Sequence, residues 1–407
     1  MTTVVETSEE EPLLTVALFI GELLHEGEEH TALADTPAKR YAAECEGLME
    51  EGRWNDLLVR LLESSSIMYG KASDKDIETC FLVICNVVCK LPEAEALQAA
   101  DKIVAALTAE TTDSALRLRA LLNLFNLMPY NAGKYSIILA TLEYCTSTAL
   151  VEPLLPAAKR ADVWVKEWGI GHDETRALWS AFSKLLQGYK PASKDYFNFL
   201  IKYLTTFEND ENPPLEKIET EAVLAAKEFV MNADLFHCDL LDLKCIQKVR
   251  ESPKVSGTFK LLGIFLTGRL SDYLAAYKAD PKLVEDLGLS HEECVSKMRL
   301  MSLAALGTEG ESGEIPYSLV KDALQIDVSE VETWVVKAIG LKLLEAKMDQ
   351  LREVVVISRC SNRVFESAQW AELRSKLEGW KGSVGNVCKV VGQLRAGGHA
   401  VDPLLMR

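Results

Sequence analysis

The only compact set of nucleophile-like residues in this sequence is His237-Cys238-Asp239. A thiol, an imidazole and a carboxylate are the right types for acyl transfer. A triad, however, needs its members to converge in space, and chain neighbours rarely face one another in that way. The other histidines, His25, His30, His172, His291 and His399, are scattered, with no His-x3-His and no His-Glu-x-x-His to hold a metal. No Cys-x-x-Cys pair occurs among the ten cysteines. Cys80, Cys85 and Cys89 fall on one apolar helical stretch without a nearby histidine, where cysteine acts as a small hydrophobe. Trp164 and Trp168, four apart, read as a packing ridge. Glycine-rich phosphate loops of either common pattern are absent. No enzyme activity, metal, cofactor or small-molecule substrate is expected.

The elements that surround these residues are helices. From about residue 37 to 290, segments of helical periodicity follow one another with short breaks, among them Asp76–Leu91, Ser114–Leu127 and Asp173–Gln187. Apolar runs such as Ala120–Leu127 suit helices buried between neighbours. Paired helices stacked in series make an α-solenoid, and the lack of a strict period marks a degenerate helical-repeat array. Asp210–Pro214 is the clearest loop.

After Gly307, Gly310 and Gly313 the pattern changes. Pro316 is placed to open a helix at its first turn, and Ser329 with Glu332 reads as the capping box of the next. Leu343–Met348 and the β-branched run Val354-Val355-Val356-Ile357 read as a hairpin. With His291–Ala305 as first helix, the order is that of a winged helix. The hairpin is expected to leave an edge strand for pairing, and Val354, Val355, Val356 and Ile357 are counted among the partner-binding residues.

Beyond it, Trp370, Leu373, Leu377, Trp380, Val384, Val387, Val391 and Leu394 recur at alternating steps of three and four. That spacing sets all of them on one seam of a helix. Gly379, Gly382, Gly385 and Gly392 lie off the seam, each costing about 1 kcal/mol relative to alanine. The helix therefore needs something to lie against, either its own domain or a bundle shared with other chains. The boundaries read as an acidic flexible leader 1–36, array 37–290, winged helix 291–361, bundle helix 362–395 and tail 396–407.

A formal net charge of −17 argues against broad affinity for nucleic acid or anionic membrane. No basic residue precedes Lys39, so neither a signal nor a transit peptide is expected. Leu13–Leu24 is apolar but too short to span a bilayer and is interrupted by Glu22; it reads as a docking helix or strand. The cysteine pattern fits a reducing, cytoplasmic compartment. In a winged helix that reads nucleic acid, the start of the second motif helix meets phosphates. Here that start carries Glu330 and Glu332, so only incidental, weak or indirect RNA contact, through Arg359 and Arg363, is expected.

A helical array capped by a winged helix and a seam helix resembles the PCI family, the scaffold subunits of the proteasome lid, the signalosome and eukaryotic translation initiation factor 3. Lys297-Met298-Arg299-Leu300, Glu353–Ser358, Asn362-Arg363-Val364-Phe365 and Gln369-Trp370 with Leu373, Leu377 and Trp380-Lys381 are similar to PCI subunits of initiation factor 3. So are Leu116-Arg117-Leu118-Arg119 through Phe125, and Asp286-Leu287-Gly288-Leu289. The resemblance implies a noncatalytic scaffold subunit of that complex, with other PCI subunits and the small ribosomal subunit as partners, supporting recruitment of mRNA and initiator tRNA. The alternative within the family is a signalosome subunit. It also implies an arc built from the hairpins and a bundle built from the seam. The metalloprotease pattern of sister subunits in such complexes is missing from the sequence.

Overall fold

The computed structural model describes residues 11–25, 37–208, 210, 214–250, 252, 255–285, 287–309, 313–360 and 367–396. The chain forms two compact units, Met1–Glu211 and Asn212–Arg407, and the division falls within the Asp210–Pro214 stretch. The sequence reading ran one array from 37 to 290; the helices after 212 cluster instead with the winged helix.

The first unit is a helical array of α1 (Pro12–Leu24), α2 (Pro37–Glu50), α3 (Trp54–Ser65), α4 (Met68–Lys71), α5 (Asp74–Asn86), α6 (Glu93–Thr108), α7 (Ser114–Leu127), α8 (Asn131–Thr148), α9 (Leu155–Trp168), α10 (His172–Leu186) and α11 (Ser193–Thr205). Helices pack on their immediate neighbours and on the next but one, as α5 does on α7, α6 on α8 and α8 on α10. This is the contact pattern of a two-layered array. Local chemistry sets the ends. The Ser73 side chain accepts from the Asp76 N–H at the start of α5, with Asp74 and Asp76 in the first turn. Each helix then buries a stripe: Leu57, Leu58 and Leu61 on α3, and Leu178, Phe182 and Leu185 on α10. Phe182 stacks on Phe199 of α11 at 4.9 Å.

The expected leader contains α1. Leu13, Val16, Ala17 and Ile20, at helical spacing, are buried in the same core as Tyr41, Ala42 and Cys45 of α2. Gly21 lets the backbones cross closely, since a Cβ there would lie 2.9 Å from the Ala38 Cα. The remainder of the leader, and the tail 396–407 apart from the last helical residue Ala396, lie outside the described residues.

In the second unit come α12 (Leu215–Met231), α13 (Lys244–Val249), α14 (Ser256–Thr267), α15 (Leu270–Ala279), α16 (Lys282–Glu285) and α17 (His291–Glu309). They are followed by β1 (Glu314–Pro316), α18 (Tyr317–Leu324), α19 (Val328–Gly340), β2 (Leu344–Asp349), β3 (Val354–Cys360) and α20 (Ser367–Ala396). Helix α17 is the hub and packs on α12, α15, α18, α19 and β3. Met298, Leu300, Met301, Leu303 and Ala304 are all buried on it, because neighbours cover it on several sides. Gly307 lets α17 approach the sheet: a Cβ there would lie 2.8 Å from Cys360 Sγ. Gly288, at φ +64°, ends α16 in the left-handed region that glycine adopts without strain.

Three local expectations are corrected. Pro316 ends β1 and is the N-cap of α18, which starts at Tyr317. Ser329 forms no capping box, because α19 begins two residues earlier than that reading requires, at Val328 with Asp327 as its N-cap. The antiparallel sheet has order β1-β3-β2, so the strand carrying Val354–Ile357 is the middle one. The short β1 had no legible signal: three residues ending in proline carry no alternation to count.

Candidate interaction surfaces

The residues that carry nucleophile chemistry do not come together. Cys238 is buried while His237 and Asp239 on either side of it are exposed. Burial pushes the Cys238 thiol up to about 12, which removes the thiolate a nucleophile needs. Cys85, deep in the core, is likewise pushed up to about 12 by burial, and Cys80 to about 11. Among the described residues no group of three His, Cys, Asp or Glu is placed to hold a metal. Trp164 and Trp168 stack at 5.3 Å, and Phe125 lies 5.2 Å from Trp164, so this ridge ties α7 to α9.

The motif residues of the two units are staples. Buried Arg117 donates from Nε to the Thr112 carbonyl and from Nη1 to the carbonyls of Ala106 and Leu107, and pairs with Glu110 at 2.8 Å. It thereby satisfies the end of α6. Arg299 donates to the carbonyls of Leu324 and Gln325 at the end of α18 and stacks over Trp334. Lys297 was not singled out chemically from the sequence, although a lone lysine on the apolar stripe Cys294, Met298, Met301 was a usable signal. Its Nζ donates to the Phe229 carbonyl and, at 2.7 Å, to that of Asn232, where α12 ends. It also lies 4.2 Å from the centroid of the Phe229 ring. Burial lowers its pKa to about 7.

The winged helix presents a sheet edge. Val354 pairs with Pro316 on one side and Asp349 on the other, and Val355 with Ile315 and Met348. Val356 likewise has partners on both sides, and the Ile357 N–H donates to Gly313. The free edge among the described strands is therefore on β2 or β1, and Val354–Ile357, expected to bind a partner, has its backbone paired on both sides. Val355 is buried in the module's core, and Val354, Val356 and Ile357 are half-buried. At the hairpin tip, Leu351 is 99% exposed.

The start of α19 is acidic. Glu332 accepts from Tyr317 and from Gln350, Glu330 is exposed, and Asp327 occupies the N-cap. Phosphate would meet carboxylates there. Arg359 is exposed with Glu345 Oε1 3.9 Å from its Nη1. Arg363 lies outside the described residues.

Helix α20 is the second surface. It runs unbroken through its four glycines, at each of which a Cβ would meet nothing within 4 Å. Trp370, Leu373, Leu377, Trp380, Val384, Val387 and Val391 are all exposed, from 37% at Leu373 to 67% at Trp380. The Leu394 side chain lies outside the described set. Every described side chain from Trp370 to Gln393 is exposed on this helix. Contiguous apolar surface left in water is a candidate interaction surface. The reading in which it packs on its own domain is not what the structure shows.

A helical array, a winged helix with its small sheet, and a following seam helix together define a PCI-domain protein, and residues 271–359 match the family model of the PCI domain. Residues 363–391 match the model described as eIF3 subunit M, C-terminal helix. The chain is 33% identical over 327 residues to eukaryotic translation initiation factor 3 subunit M of Dictyostelium discoideum, covering 79% of this chain and 80% of the relative. It is 29% identical over 365 residues to the subunit M of Phaeosphaeria nodorum, with coverages of 87% and 81%. To that of Homo sapiens it is 26% identical over 357 residues, with coverages of 86% and 91%. The chain belongs to the family of subunit M of eukaryotic translation initiation factor 3, a noncatalytic subunit of a translation initiation factor complex. Membership in that family sets the signalosome alternative aside. Among the described residues no helix is long and apolar enough to cross a membrane.

Proposed function

We propose that this chain is a cytoplasmic scaffold of initiation factor 3, held in the complex by other PCI subunits that cover the seam of α20. In that role it supports assembly of the complex and recruitment of mRNA and initiator tRNA to the small ribosomal subunit. The observation that carries the reading is the exposed heptad seam on the segment that matches the family's C-terminal helix. The outer edge of β2 supplies a second contact by strand pairing. Val354–Ile357 contribute by holding that strand in place, since their own backbone is already paired. RNA contact is weak: Arg359 faces Glu345, and the start of α19 is acidic.

Purification of the tagged chain from cells tests this directly. The expected co-purifying proteins are the other initiation factor 3 subunits together with small ribosomal subunits, and their recovery persists after nuclease treatment. Recovery of signalosome components instead, or loss of all subunits once RNA is digested, contradicts the reading.

A further inference from the structure

The residues beside the seam specify the chemistry of the neighbour, an inference that rests on the seam being completed by other subunits. In heptad packing the apolar positions supply affinity, and the positions bordering them carry the charges that choose the partner. One border of the α20 seam holds Arg374, Lys381 and Cys388; the other holds Lys376, Ser383 and Val390. All six are exposed, three are cations, and none is an acid. The acid nearest these borders among the described side chains, Glu378, stands one step further round the helix and pairs with Arg374 at 3.0 Å. Such an exposed pair at i, i+4 is weak and exchanges readily for a partner's carboxylate.

The surface also shows how a neighbour seats. Trp370, Leu373, Arg374 and Leu377, at spacings i, i+3, i+4 and i+7, line a depression in the helix surface that continues to Glu378 and Lys381. Four residues at that spacing form the hole that receives a side chain from a facing helix. A side chain entering it brings its own flanking residues beside Arg374 and Lys381. A second copy of this chain is a poor occupant. In a parallel pair Lys376 faces the Lys381 of the other copy, and in an antiparallel pair each basic border faces itself.

We propose that the seam of α20 is read by an amphipathic partner helix whose residues bordering its own apolar stripe are acidic. Two synthetic helices with one Leu/Val seam, bordered throughout by Glu in one and by Lys in the other, test this against the purified full chain. The Glu-bordered helix is expected to bind about tenfold or more tightly than the Lys-bordered one, with the difference shrinking as salt rises to about 0.5 M. Reversing the border with Arg374→Glu, Lys376→Glu and Lys381→Glu is expected to invert the preference, and the chain alone is expected to sediment as a monomer. Equal binding, a preference for Lys, binding of neither helix, or dimerisation through the seam overturns the proposal. Capture of native subunits separates this from the function proposed above. If the charge-reversed chain assembles as tightly as the natural one while a Leu377→Asp/Val384→Asp chain does not, the seam stands and the acidic partner falls. If the seam variant also assembles, the scaffold reading itself falls.

Discussion

Replacing both Leu377 and Val384 by aspartate is expected to release the chain from its complex while leaving its own fold intact. Both side chains are exposed on a helix whose described side chains are exposed all round. Neither change therefore opens a cavity in either compact unit. In a bundle the same positions are buried. Each loses roughly 1.5–3 kcal/mol of apolar burial, and a buried carboxylate without a partner costs more than that again. A combined loss of about 5 kcal/mol is more than a thousandfold in affinity. Association measured against the other purified subunits should fall by at least that factor, with thermal unfolding of the free variant unchanged. Global unfolding of the variant would show instead that the seam belongs to the chain's own core.

The second large effect is at Lys297. Its ammonium group ties α17 to the end of α12 through the carbonyls of Phe229 and Asn232. Burial lowers its pKa to about 7, opposed by Cys238, Cys294, Glu228 and Asp234, and the pKa of Glu228 is itself raised by burial. Lys297→Glu sets a carboxylate against two carbonyls and Glu228, a loss of about 3–5 kcal/mol. Lys297→Met keeps the volume and isolates the charge. Below pH 7 the lysine is charged in both folded and unfolded chains and contributes no slope. Above pH 7 the folded chain has released a proton that the unfolded chain still holds, so stability rises with pH, by at most about 1.4 kcal/mol per unit. From about pH 9 the buried thiols reverse the trend, because the folded chain keeps protons that the unfolded one loses. Denaturant unfolding at pH 7 and 8.5 should therefore show the natural chain gaining on the order of 1–2 kcal/mol relative to Lys297→Met, since the buried thiols act alike in both. Identical pH profiles for the two would refute the assignment.

The helical order of the fold was legible because its stripes are regular: Leu57, Leu58 and Leu61, or Val331, Val335 and Ala338, announce their faces by spacing alone. The seam was legible for the same reason, and α20 carries it on one face as the spacing required. Sheet order was not. The run Val354–Ile357 looks like an edge or a centre equally well, and only the three-residue β1, recruited from beyond Gly313, makes it the centre. Helix α1 was legible as the apolar docking run Leu13–Leu24, although the acidic residues around it set it inside a stretch read as a leader, and the spacing of Leu13, Val16, Ala17 and Ile20 decides for a helix over a strand. The staples Lys297 and Arg299 satisfy carbonyls far along the chain, and no local pattern encodes a long-range hydrogen bond.

Hydrogen exchange across residues 370–393, in the free chain and in the complex purified from cells, tests the central claim most directly. Among the described residues nothing covers this stretch extensively, so its amides should exchange rapidly in the free protein, with protection rising by about a hundredfold or more on assembly, an opening free energy near 3 kcal/mol. Strong protection already present in the monomer, or none gained in the complex, would contradict the assignment of α20 as the surface that sister subunits complete.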